Sequence, residues 1–558
     1  MTFKRVTPEL SVSAQIRLND LQHIKEQGFK SIVCNRPDGE GADQISFAAI
    51  EKQANNLGLN CHYLPVVSSK VTDDDIKNFE NIVRDLPKPI LAYCRTGTRS
   101  ITLWAMSAPK TYSHEEILNL SQKAGYDLSG VIRRLKNNGE TQISKADFAY
   151  PIVIIGAGAG GVAVAASIKS RSPESEIVII EPNEIHYYQP GWTLVGRGVF
   201  TPEQTVKTTA SVIPDGVKWL KGAAAAFIPD ENLIIIDGCR TVKYEHLVVC
   251  PGIKLDWHKI DGLSETLGEN GVTSNYRYDL APYTWELVQN LKKGKAVFSQ
   301  PPMPIKCAGA PQKAMYLSSD YWFKNKVINN IDVEFYNKGE VLFGVKEYVP
   351  ALLEYIKKYD VNMNFNHELI AVDGKQKIAT FKVVNGENES VEKVKFDMLH
   401  VVPPQSAPDF IKVSPLVDEN GWIDVDQSTL QHKKFSNIFA LGDATNAPNA
   451  KTAAAARMQA PVVATNLLYA RGLSKYQAIY NGYGSCPLTV ELGKVVLAEF
   501  GYGGKVMNSF PSWIINGKRP SRLAWLLKEK LLPPIYWLGM LKGREWMAKP
   551  EKLSDKSD

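Results

Sequence analysis

The stretch PIVIIGAGAGGVAVAASIKS at residues 151–170 is followed closely by EIVIIEPN at residues 176–183. The apolar runs predict two strands, and the run of small residues between them predicts a helix that begins in a glycine turn. Gly156, Gly158 and Gly161 match the pattern G-x-G-x-x-G. In such a turn the glycines permit a tight bend, close approach of the backbone to a pyrophosphate, and helix–strand contact. The sequence therefore predicts a dinucleotide-binding Rossmann fold.

Further residues indicate which dinucleotide this fold binds. Glu181 ends the second predicted strand, where its carboxylate would accept hydrogen bonds from ribose hydroxyls. Downstream, the predicted strand SNIFA runs into Gly442 and Asp443. In flavoproteins with two dinucleotide folds this motif closes on FAD, so the two motifs together favour FAD over NAD. Gly252 in the turn VVCPG is expected beside FAD, and Lys451, before the helix TAAAA, would stabilise negative charge on reduced flavin.

The predicted second nucleotide fold lacks the glycine turn of the first. Its opening strand lies in KAVFSQPPMP at residues 295–304, where prolines stand in place of glycines. Without that turn no row of N–H groups can hold the pyrophosphate of NAD(P)H, which is therefore not the expected reductant. Cys307 follows instead, and the neighbouring Lys306 would favour its thiolate, the nucleophilic form. A reactive thiol at this position indicates that electrons come from a sulfur compound.

Composition limits the class of protein. With 558 residues, 44% of them apolar, the chain is long enough for two or more domains. Its seven cysteines are widely spaced and form no C-x-x-C pair, which argues against a disulfide framework and a zinc site, and no metal ligands are predicted. This usage is typical of a reducing compartment, so we expect a cytoplasmic protein. No apolar run reaches about 18 residues, so no membrane-spanning helix is expected.

The net charge of +6 is concentrated near the C-terminus. Residues 517–552 hold nine Lys or Arg against three Glu, interleaved with Trp, Leu and Tyr. This pattern predicts two short amphipathic helices, broken at Pro533 and Pro534, that lie in a membrane interface; nucleic acid is not expected as a partner. We expect residues 517–548 to attach the protein peripherally to the inner (cell) membrane. We also expect flavin binding not to need this tail.

The N-terminal residues predict a smaller α/β domain with its own reactive cysteine. The strand PILAYC at residues 89–94 ends in Cys94, and the turn CRTGTRS leads into a helix. The N-terminus of a helix lowers the pKa of a thiol and holds an anion, which Arg99 would also fix. Asp38, in RPDGE, is the expected general acid.

Between about Pro151 and Gly543 the chain resembles the sulfide:quinone oxidoreductase family, of the type that includes the mitochondrial enzyme. The strings that carry this resemblance are HYYQPGWTLVG (186–196), PIKCAGAPQK (304–313), FGVKEY (343–348), LHVVPPQSAPD (399–409), GWIDVD (421–426), GDATNAPNAKTAAA (442–455) and GYGSCPL (482–488). The resemblance implies FAD, a quinone pocket beside the flavin near the tail, and attack by sulfide assisted by redox cysteines. It makes Cys307 the cysteine that carries sulfur at the flavin.

One position departs from the family pattern. The family often has a second redox cysteine directly after Gly-Asp, and this chain has Ala444 there. Without that thiol the usual pair of cysteines cannot form at that place. Three replacements remain open: Cys486 in GYGSCPL, Cys250 in VVCPG, or a small external thiol that accepts the sulfur.

The loop at Cys94 resembles two families. Tyrosine phosphatases use C-x5-R, whereas the shorter C-x4-R of this chain resembles rhodaneses, whose ring holds one sulfane sulfur on cysteine. RPDGE (36–40) and AYCRTGTRS (92–100) resemble bacterial phosphatase-like domains with sulfur-transfer function. The resemblance implies that Cys94 accepts sulfur, and a tyrosine phosphatase-like activity is the alternative. Attachment to a sulfide oxidase would raise the effective concentration of this acceptor.

The predicted architecture is α/β throughout. Residues 1–110 form a phosphatase/rhodanese-like domain, 111–148 a helical linker, and 149–558 a tandem Rossmann-like flavoprotein with the membrane-interface tail. The predicted function is FAD-dependent oxidation of sulfide with electron transfer to quinone, coupled to sulfur transfer to a thiol or to the Cys94 domain. The alternatives are a type II NADH:quinone oxidoreductase and a flavin-binding redox sensor that lacks turnover because of Ala444. A homo-oligomer is left open.

Overall fold

The computed structural model describes residues 3–40, 44–66, 71–126, 128, 146–237, 240–386 and 388–553. Residues 127 and 129–145 of the predicted linker, and Cys239, lie outside the described residues. Three main β-sheets, each accompanied by helices, follow one another along the chain. The predicted α/β class is confirmed.

The N-terminal sheet has five strands, and its pairs are parallel except for the outermost one. In spatial order the strands are Lys4–Arg5, Leu10–Ser13, Ile90–Tyr93, Ser31–Cys34 and Asn60–Tyr63. Its helices are Asp20–Glu26, Phe47–Asn56, Asp73–Asp85, Thr98–Ser107 and His114–Lys123. The last helix packs on this domain through the fully buried Ile117.

The second sheet is the first nucleotide fold. In spatial order its strands are Val217–Leu220, Ile177–Ile180, Phe148–Ile155, Arg240–Val249, Leu233–Ile236 and Ala224–Ile228, and Ile438–Ala440 also pairs with Arg240–Val249. The second half of the strand Phe148–Ile155 is buried and apolar. The helices Ala159–Arg171 and Ala453–Ala470 pack closely against each other in the same core. The small residues of these two helices permit that close approach.

The second nucleotide fold is a five-stranded parallel sheet. In spatial order its strands are Val272–Thr273, Met398–His400, Gly294–Gln300, Ile331–Asn337 and Asn362–Phe365, with the helices Ala281–Asn290, Ala310–Lys324 and Val349–Lys358. A three-stranded antiparallel sheet, His367–Asp373, Ile378–Asn385 and Asn388–Lys395, is inserted in it. A hairpin, Gly484–Glu491 with Lys494–Phe500, packs against the helix Ala310–Lys324.

The C-terminal tail is one nearly continuous helical run. Its consecutive segments are Arg522–Leu526, Leu527–Leu531, Leu532–Pro534, Ile535–Gly539 and Met540–Lys542. Wide π-type turns flank Pro533 and Pro534 and shift the backbone hydrogen bonds, so the missing proline N–H groups do not end the run. The predicted break at the prolines is therefore wrong. Among the described residues, no helix has the length and apolarity needed to cross a membrane.

The tail is also part of the first nucleotide fold. Tyr536, Met540 and Leu541 are buried in its main core. Glu545 forms an ion pair with Arg171, the last residue of the helix that follows the glycine turn, with an Nη2–Oε2 distance of 2.8 Å. These contacts remove the physical basis for expecting flavin binding to be independent of the tail.

Candidate active site

The glycine turn lies between the strand Phe148–Ile155 and the helix Ala159–Arg171. Gly156 has a φ of +100°, and a Cβ on it would lie 2.6 Å from a neighbouring carbonyl oxygen. A Cβ on Gly161 would lie 1.8 Å from the carbonyl oxygen of Gly156, so both positions require glycine. Gly158 differs, because a Cβ there would meet no protein atom within 4 Å. Its open side leaves room for a ligand at the N-terminus of the helix.

A cavity of about 800 Å³ opens at this turn. Its size is that of a site for a cofactor or drug-sized ligand. Its wall includes every predicted cofactor-binding residue except Gly161, which packs behind the turn: Gly156, Gly158, Glu181, Gly252, Gly442, Asp443 and Lys451. The structure therefore brings together residues from widely separated parts of the sequence.

Buried polar atoms without partners test whether this cavity suits a dinucleotide. Within the described part of the chain, Trp192 Nε1, Thr193 Oγ1 and Asn275 Oδ1 are buried and make no hydrogen bond. All three residues line the cavity. An unpaired buried polar group is costly, so these donors and acceptors are suited to a polar ligand. Together with the open face of Gly158, they fit FAD.

Glu181 keeps acceptor capacity at the edge of this cavity. One carboxylate oxygen accepts the N–H of Ala157 at 2.9 Å, and the other accepts the N–H of Asn183 at 2.8 Å. A carboxylate offers about four lone-pair sites. The predicted role of Glu181 toward ribose hydroxyls therefore remains a prediction that the geometry permits.

Lys451 holds the Gly-Asp loop. Its ammonium donates to the backbone oxygens of Asp443, at 2.7 Å, and Thr445, at 2.8 Å, and lies 4.3 Å from the centre of the Trp422 ring. Burial lowers the pKa of Lys451 to about 8, against the opposing effect of the Asp443 carboxylate. Burial likewise raises the pKa of Asp443. The predicted stabilisation of reduced flavin by Lys451 remains a prediction.

Cys307 lies in the loop between the strand Gly294–Gln300 and the helix Ala310–Lys324, and it lines the same cavity. Its φ is +48°, a left-handed conformation that costs a residue other than glycine about 1–3 kcal/mol. The N–H of Cys307 donates to the carbonyl of Lys451 at 2.8 Å, and its carbonyl accepts from the hydroxyl of Tyr276 at 3.1 Å. These bonds hold the strained backbone in place.

Lys313, not Lys306, contacts the thiol of Cys307. The ammonium of Lys313, in the first turns of the helix, lies 3.1 Å from Cys307 Sγ. Lys306 instead donates to the side-chain oxygen of Gln189 at 2.7 Å, and burial lowers its pKa to about 8. The expectation that Lys306 favours the thiolate is therefore corrected, because the loop turns its side chain toward Gln189.

Cys486 is the cysteine that lies beside Cys307. The two Sγ atoms are 3.8 Å apart, and Cys486 is only 3% exposed. A hydrogen bond from Cys486, followed by the charge of Lys313, lowers the pKa of Cys307 well below its usual value, although burial opposes this effect. The same hydrogen bond, together with burial, raises the pKa of Cys486. Cys307 is therefore the more acidic thiol of the pair.

Neither Cys250 nor Ala444 belongs to that pair. The thiol of Cys250 donates to the carbonyl of Ile155 at 3.2 Å, behind the glycine turn, and burial raises its pKa. Ala444 is fully buried in the core of the first nucleotide fold. Of the two cysteines considered as replacements, the structure places Cys486 at the site.

A second buried lysine, Lys528, faces the cysteine pair from the tail. The ammonium of Lys528 donates to the carbonyl of Pro487 at 3.2 Å and to Thr489 Oγ1 at 2.5 Å. Lys528 is 6% exposed, and burial followed by repulsion from Lys313 lowers its pKa well below the usual value. The site thus joins two thiols to two amines in a largely buried space.

In the N-terminal domain, the turn after Cys94 leads from the strand Ile90–Tyr93 into a helix. Gly97 has a φ of +86° and begins the helix Thr98–Ser107, and its N–H donates to Cys94 Sγ at 3.1 Å. Cys94 is only 1% exposed. Above the turn, the hydroxyl of Tyr126 donates to the carbonyl of Thr96 at 3.2 Å.

The two polar residues predicted to assist Cys94 have other partners. The guanidinium of Arg99 donates to the carbonyl of Val66 and to the carboxylate of Glu40, each at 2.7 Å. In this structure these buried contacts make Arg99 a clamp between loops, and its expected role as an anion anchor remains a prediction. The carboxylate of Asp38 accepts the N–H of Phe47 at 2.9 Å and so caps a helix instead of serving as a free acid.

The sequence analysis missed Lys313, Tyr276 and Lys528. For Lys313 a local signal existed, because it lies only six residues after Cys307, in the first turns of the helix Ala310–Lys324 that follows the loop. No local signal existed for Tyr276 or Lys528, which come from remote segments.

Comparisons with known proteins cover both parts of the chain. Residues 2–110 match the family described as "Beta-lactamase hydrolase-like protein, phosphatase-like domain", and residues 150–288 match "Pyridine nucleotide-disulphide oxidoreductase". The chain is 41% identical over 424 residues to "Sulfide:quinone oxidoreductase, mitochondrial" of Dictyostelium discoideum, which covers 75% of this chain and 92% of that protein. It is 40% identical over 394 residues to the Mus musculus protein of the same name, over 71% of this chain and 87% of that protein.

A solved structure shows the same fold. The sulfide:quinone oxidoreductase of Aquifex aeolicus superposes with a TM-score of 0.59 at 17% identity, over 71% of this chain and 92% of that one. At this identity the likeness concerns the fold alone.

We predict that Lys313→Met raises the pKa of Cys307. Loss of the ammonium at 3.1 Å removes a charge that favours the thiolate, so alkylation by iodoacetamide at neutral pH should slow and its midpoint should move to higher pH. The measurement is the pH dependence of Cys307 alkylation, followed by peptide mass spectrometry.

The matched control is Lys306→Met, compared at equal flavin content. Because Lys306 donates to Gln189, this variant should keep the wild-type midpoint. A larger shift in Lys306→Met than in Lys313→Met would contradict the assignment.

Proposed function

The chain belongs to the sulfide:quinone oxidoreductase family, and from that premise we propose that it oxidises sulfide at Cys307 and passes the electrons to quinone. As a member of the family it uses FAD as its cofactor and quinone as its electron acceptor. The observation that carries the assignment of Cys307 is its sulfur, held 3.1 Å from an ammonium in the wall of the dinucleotide cavity. FAD held in this cavity would supply the two-electron redox chemistry that links sulfide to quinone.

The chain's own residues divide the work at this site. Lys313 stabilises the thiolate of Cys307, while the hydrogen bonds from Tyr276 and to Lys451 keep its backbone in place. The buried surroundings strengthen these electrostatic interactions relative to water. A pre-positioned thiolate of this kind is suited to nucleophilic chemistry on sulfur.

The type II NADH:quinone oxidoreductase alternative has weaker support. Cys307, with its left-handed φ, occupies the loop where a second glycine turn would hold the pyrophosphate of NADH. The redox-sensor alternative rested on Ala444, and it is weakened because a second thiol lies 3.8 Å from Cys307.

Association with a membrane surface is the second part of the proposal. The tail turns leucines outward: Leu523, Leu526, Leu531 and Leu538 are each about half exposed. Lys528 on the same run points inward. An ordinary surface helix has the opposite arrangement, with apolar residues inside and charged residues outside. Exposed apolar residues rimmed by basic ones favour a membrane interface.

The same tail offers quinone a path to the cavity. Leu527, Leu532 and Ile535 line the cavity, and they alternate along the run with the outward-facing leucines. An apolar quinone dissolved in lipid would therefore meet apolar side chains on the way to the cavity.

The named relatives are mitochondrial proteins, and the cytoplasmic location expected from the sequence has no support among them.

Transfer of sulfur to Cys94 is the third part of the proposal. The docking of the N-terminal domain supports it. The ammonium of Lys254 donates to the carbonyl of Gly125 at 3.3 Å and lies 5.8 Å from the centre of the Tyr126 ring, the ring that covers the Cys94 turn. A Cβ on Gly125 would lie 2.0 Å from the ring of His258, so the two domains are in close contact here.

This contact leads directly to the loop that carries Cys307. The strand Lys254–Leu255 pairs with Gln405–Ser406, and Gln405 Oε1 accepts the N–H of Lys306 at 2.8 Å. Because Cys94 is buried beneath Tyr126, transfer requires that ring to move aside. Residues 2–110 match a family described as phosphatase-like, so phosphate hydrolysis is the alternative activity for this domain.

We predict that Cys307→Ser retains FAD but loses sulfide-dependent quinone reduction by at least about 100-fold, as loss of a covalent nucleophile would cause. The measurements are anaerobic titrations of the flavin absorbance with sulfide and, separately, with NADH, followed by quinone reduction. The matched control is Cys61→Ser in the N-terminal domain, which should turn over normally. Near-normal turnover of Cys307→Ser, or bleaching by NADH alone, would refute the proposal.

We predict that serine at Leu523, Leu526, Leu531 and Leu538 together abolishes co-sedimentation with vesicles of phosphatidylcholine and phosphatidylglycerol. These side chains are already exposed, so flavin content should not change, and use of a short-chain quinone should persist while use of a long-chain quinone falls. The control carries serine at two exposed leucines elsewhere, Leu353 and Leu473. Equal sedimentation of both proteins would show that the tail does not bind membranes.

We predict that Cys94 takes up sulfane sulfur from thiosulfate or a persulfide, because the N–H of Gly97 already points at its sulfur. Intact-mass and peptide mass spectrometry should show one added sulfur in wild type and in Cys61→Ser but none in Cys94→Ser. Aryl phosphates should be poor substrates. Hydrolysis of aryl phosphates with no sulfur on Cys94 under any condition would replace this assignment with a phosphatase.

A further inference from the structure

We infer that Tyr536 of the C-terminal tail is a positioning residue for FAD, and that it acts through His186 on the glycine turn. The inference rests on FAD as the cofactor and on no property of sulfide, quinone or the cysteines. Its failure would therefore leave the proposed oxidation of sulfide untouched, and failure of that function would leave the inference standing.

A chain of two hydrogen bonds joins the tail to the turn. His186 lies in the strand Ile185–Tyr187, with Nδ1 2.8 Å from the carbonyl oxygen of Ala157 and Nε2 2.6 Å from the hydroxyl of Tyr536. His186 is 3% exposed and Tyr536 is 5% exposed. Ala157, His186 and Tyr536 all line the dinucleotide cavity. The tail thus reaches the turn through a single buried imidazole.

The chemistry of the partners fixes the direction of both bonds. A carbonyl oxygen can only accept, so His186 carries its proton on Nδ1 and donates it to Ala157. Nε2 is then an acceptor, and the hydroxyl of Tyr536 donates to it. Burial lowers the pKa of His186 and so favours this neutral form, although the bond to Ala157 opposes the shift. Removal of the hydroxyl would leave a buried nitrogen atom without its donor, which is costly.

These bonds orient a peptide group at the ligand site. The N–H of Ala157 donates to the carboxylate of Glu181 at 2.9 Å, and its carbonyl accepts from His186. A trans peptide group is planar, so the N–H of Gly158 points away from the carbonyl of Ala157. That N–H belongs to the N-terminal end of the helix Ala159–Arg171, where a pyrophosphate is expected to bind. His186 therefore sets the direction of a donor at this site.

The tail is also held at the far end of the same helix. Glu545 pairs with Arg171 at 2.8 Å. A Cβ on Gly543 would lie 2.6 Å from the carbonyl oxygen of Ala166, so the backbone of the tail lies directly on the helix. Through Tyr536 at the turn and these contacts at the last turns, one segment fixes both ends of the helix.

Docking of the tail therefore prepares the turn for the cofactor. Without the hydroxyl of Tyr536, the imidazole and the peptide group of Ala157 could adopt other orientations before binding, and binding of FAD would include the free-energy cost of ordering them. Linkage makes the effect reciprocal, so bound FAD should also stabilise the docked tail. No contact between the hydroxyl and FAD is required.

The first test is Tyr536→Phe in the full-length holoenzyme. This variant keeps the ring, which lies 4.8 Å from the ring of Tyr188, and removes only the hydroxyl. FAD should leave about threefold to tenfold faster, because one buried hydrogen bond is lost. The measurement is the rise in flavin fluorescence after dilution, which needs no turnover. Release at the wild-type rate would overturn the inference.

The matched control is Tyr469→Phe. Tyr469 is an exposed tyrosine on the helix Ala453–Ala470 of the same fold, so this variant should release FAD at the wild-type rate. Release that is as fast as from Tyr536→Phe would show that the effect is not specific to the tail, and the inference would fail.

The second test separates the hydrogen-bonded chain from simple packing. In His186→Asn the side-chain N–H can replace Nδ1 toward Ala157, but the shorter side chain cannot reach Tyr536. Adding Tyr536→Phe to this variant should not speed the release of FAD further, because the partner of the hydroxyl is already gone. Fully additive effects of the two changes would mean that Tyr536 acts by packing alone, contrary to the inference.

The third test uses the unmodified protein with its flavin removed and then restored. Amide hydrogen exchange followed by mass spectrometry should show that FAD slows exchange in the tail at residues 532–542 as well as in the glycine turn. The protection of the tail should be weaker in Tyr536→Phe. Exchange in the tail that is the same with and without FAD would contradict the reciprocal coupling and refute the inference.

Discussion

The contact between the ammonium of Lys313 and the sulfur of Cys307 is the interaction on which the rest of the active site depends. An ammonium and a thiolate buried together stabilise each other, whereas either one alone would be neutralised by burial. Bringing the sulfur to that ammonium requires a left-handed backbone at Cys307, and the carbonyl of Lys451 and the hydroxyl of Tyr276 hold that backbone. The Gly-Asp loop and the Cys307 loop are therefore one unit, because Lys451 bonds to both of them.

The C-terminal tail connects the active site to the surface of the molecule. Lys528 is buried against Pro487 and Thr489, the neighbours of Cys486, while leucines on the same helical run face outward. Burial of a lysine costs free energy unless its hydrogen bonds are made, and here the hairpin supplies them. Anchoring the inward side in this way exposes the apolar side. The same segment thus completes the redox site and presents the proposed membrane surface, so the two properties are not separable by truncation.

Local motifs accounted for the fold and for the dinucleotide cavity. Gly156 and Gly161 could be assigned because each meets a steric requirement of the turn itself, whereas Gly158 leaves an open side for a ligand. Such requirements depend on residues that are close together in the sequence. The partners of the Lys306 and Arg99 side chains could not be assigned from the sequence, for the opposite reason. Adjacency in sequence suggested contact with the cysteine, but the direction of a side chain in a loop depends on partners from elsewhere, Gln189 in one case and Glu40 in the other. The break expected at Pro533 and Pro534 failed because π-type turns accommodate them.

The position of Cys486 shows why contact between two distant cysteines is harder to predict than a cofactor turn. Cys307 belongs to a loop of the second nucleotide fold, whereas Cys486 belongs to a hairpin that packs on the helix beginning after that loop. Their contact depends on the packing of that helix against the hairpin and on Gly309, whose missing side chain admits the sulfur. At Ala444 the chain has instead filled the core of the first fold with a methyl group. The position of the Cys307 sulfur does not depend on which residue follows Gly442 and Asp443, because Lys313 and the strained loop define where that sulfur lies.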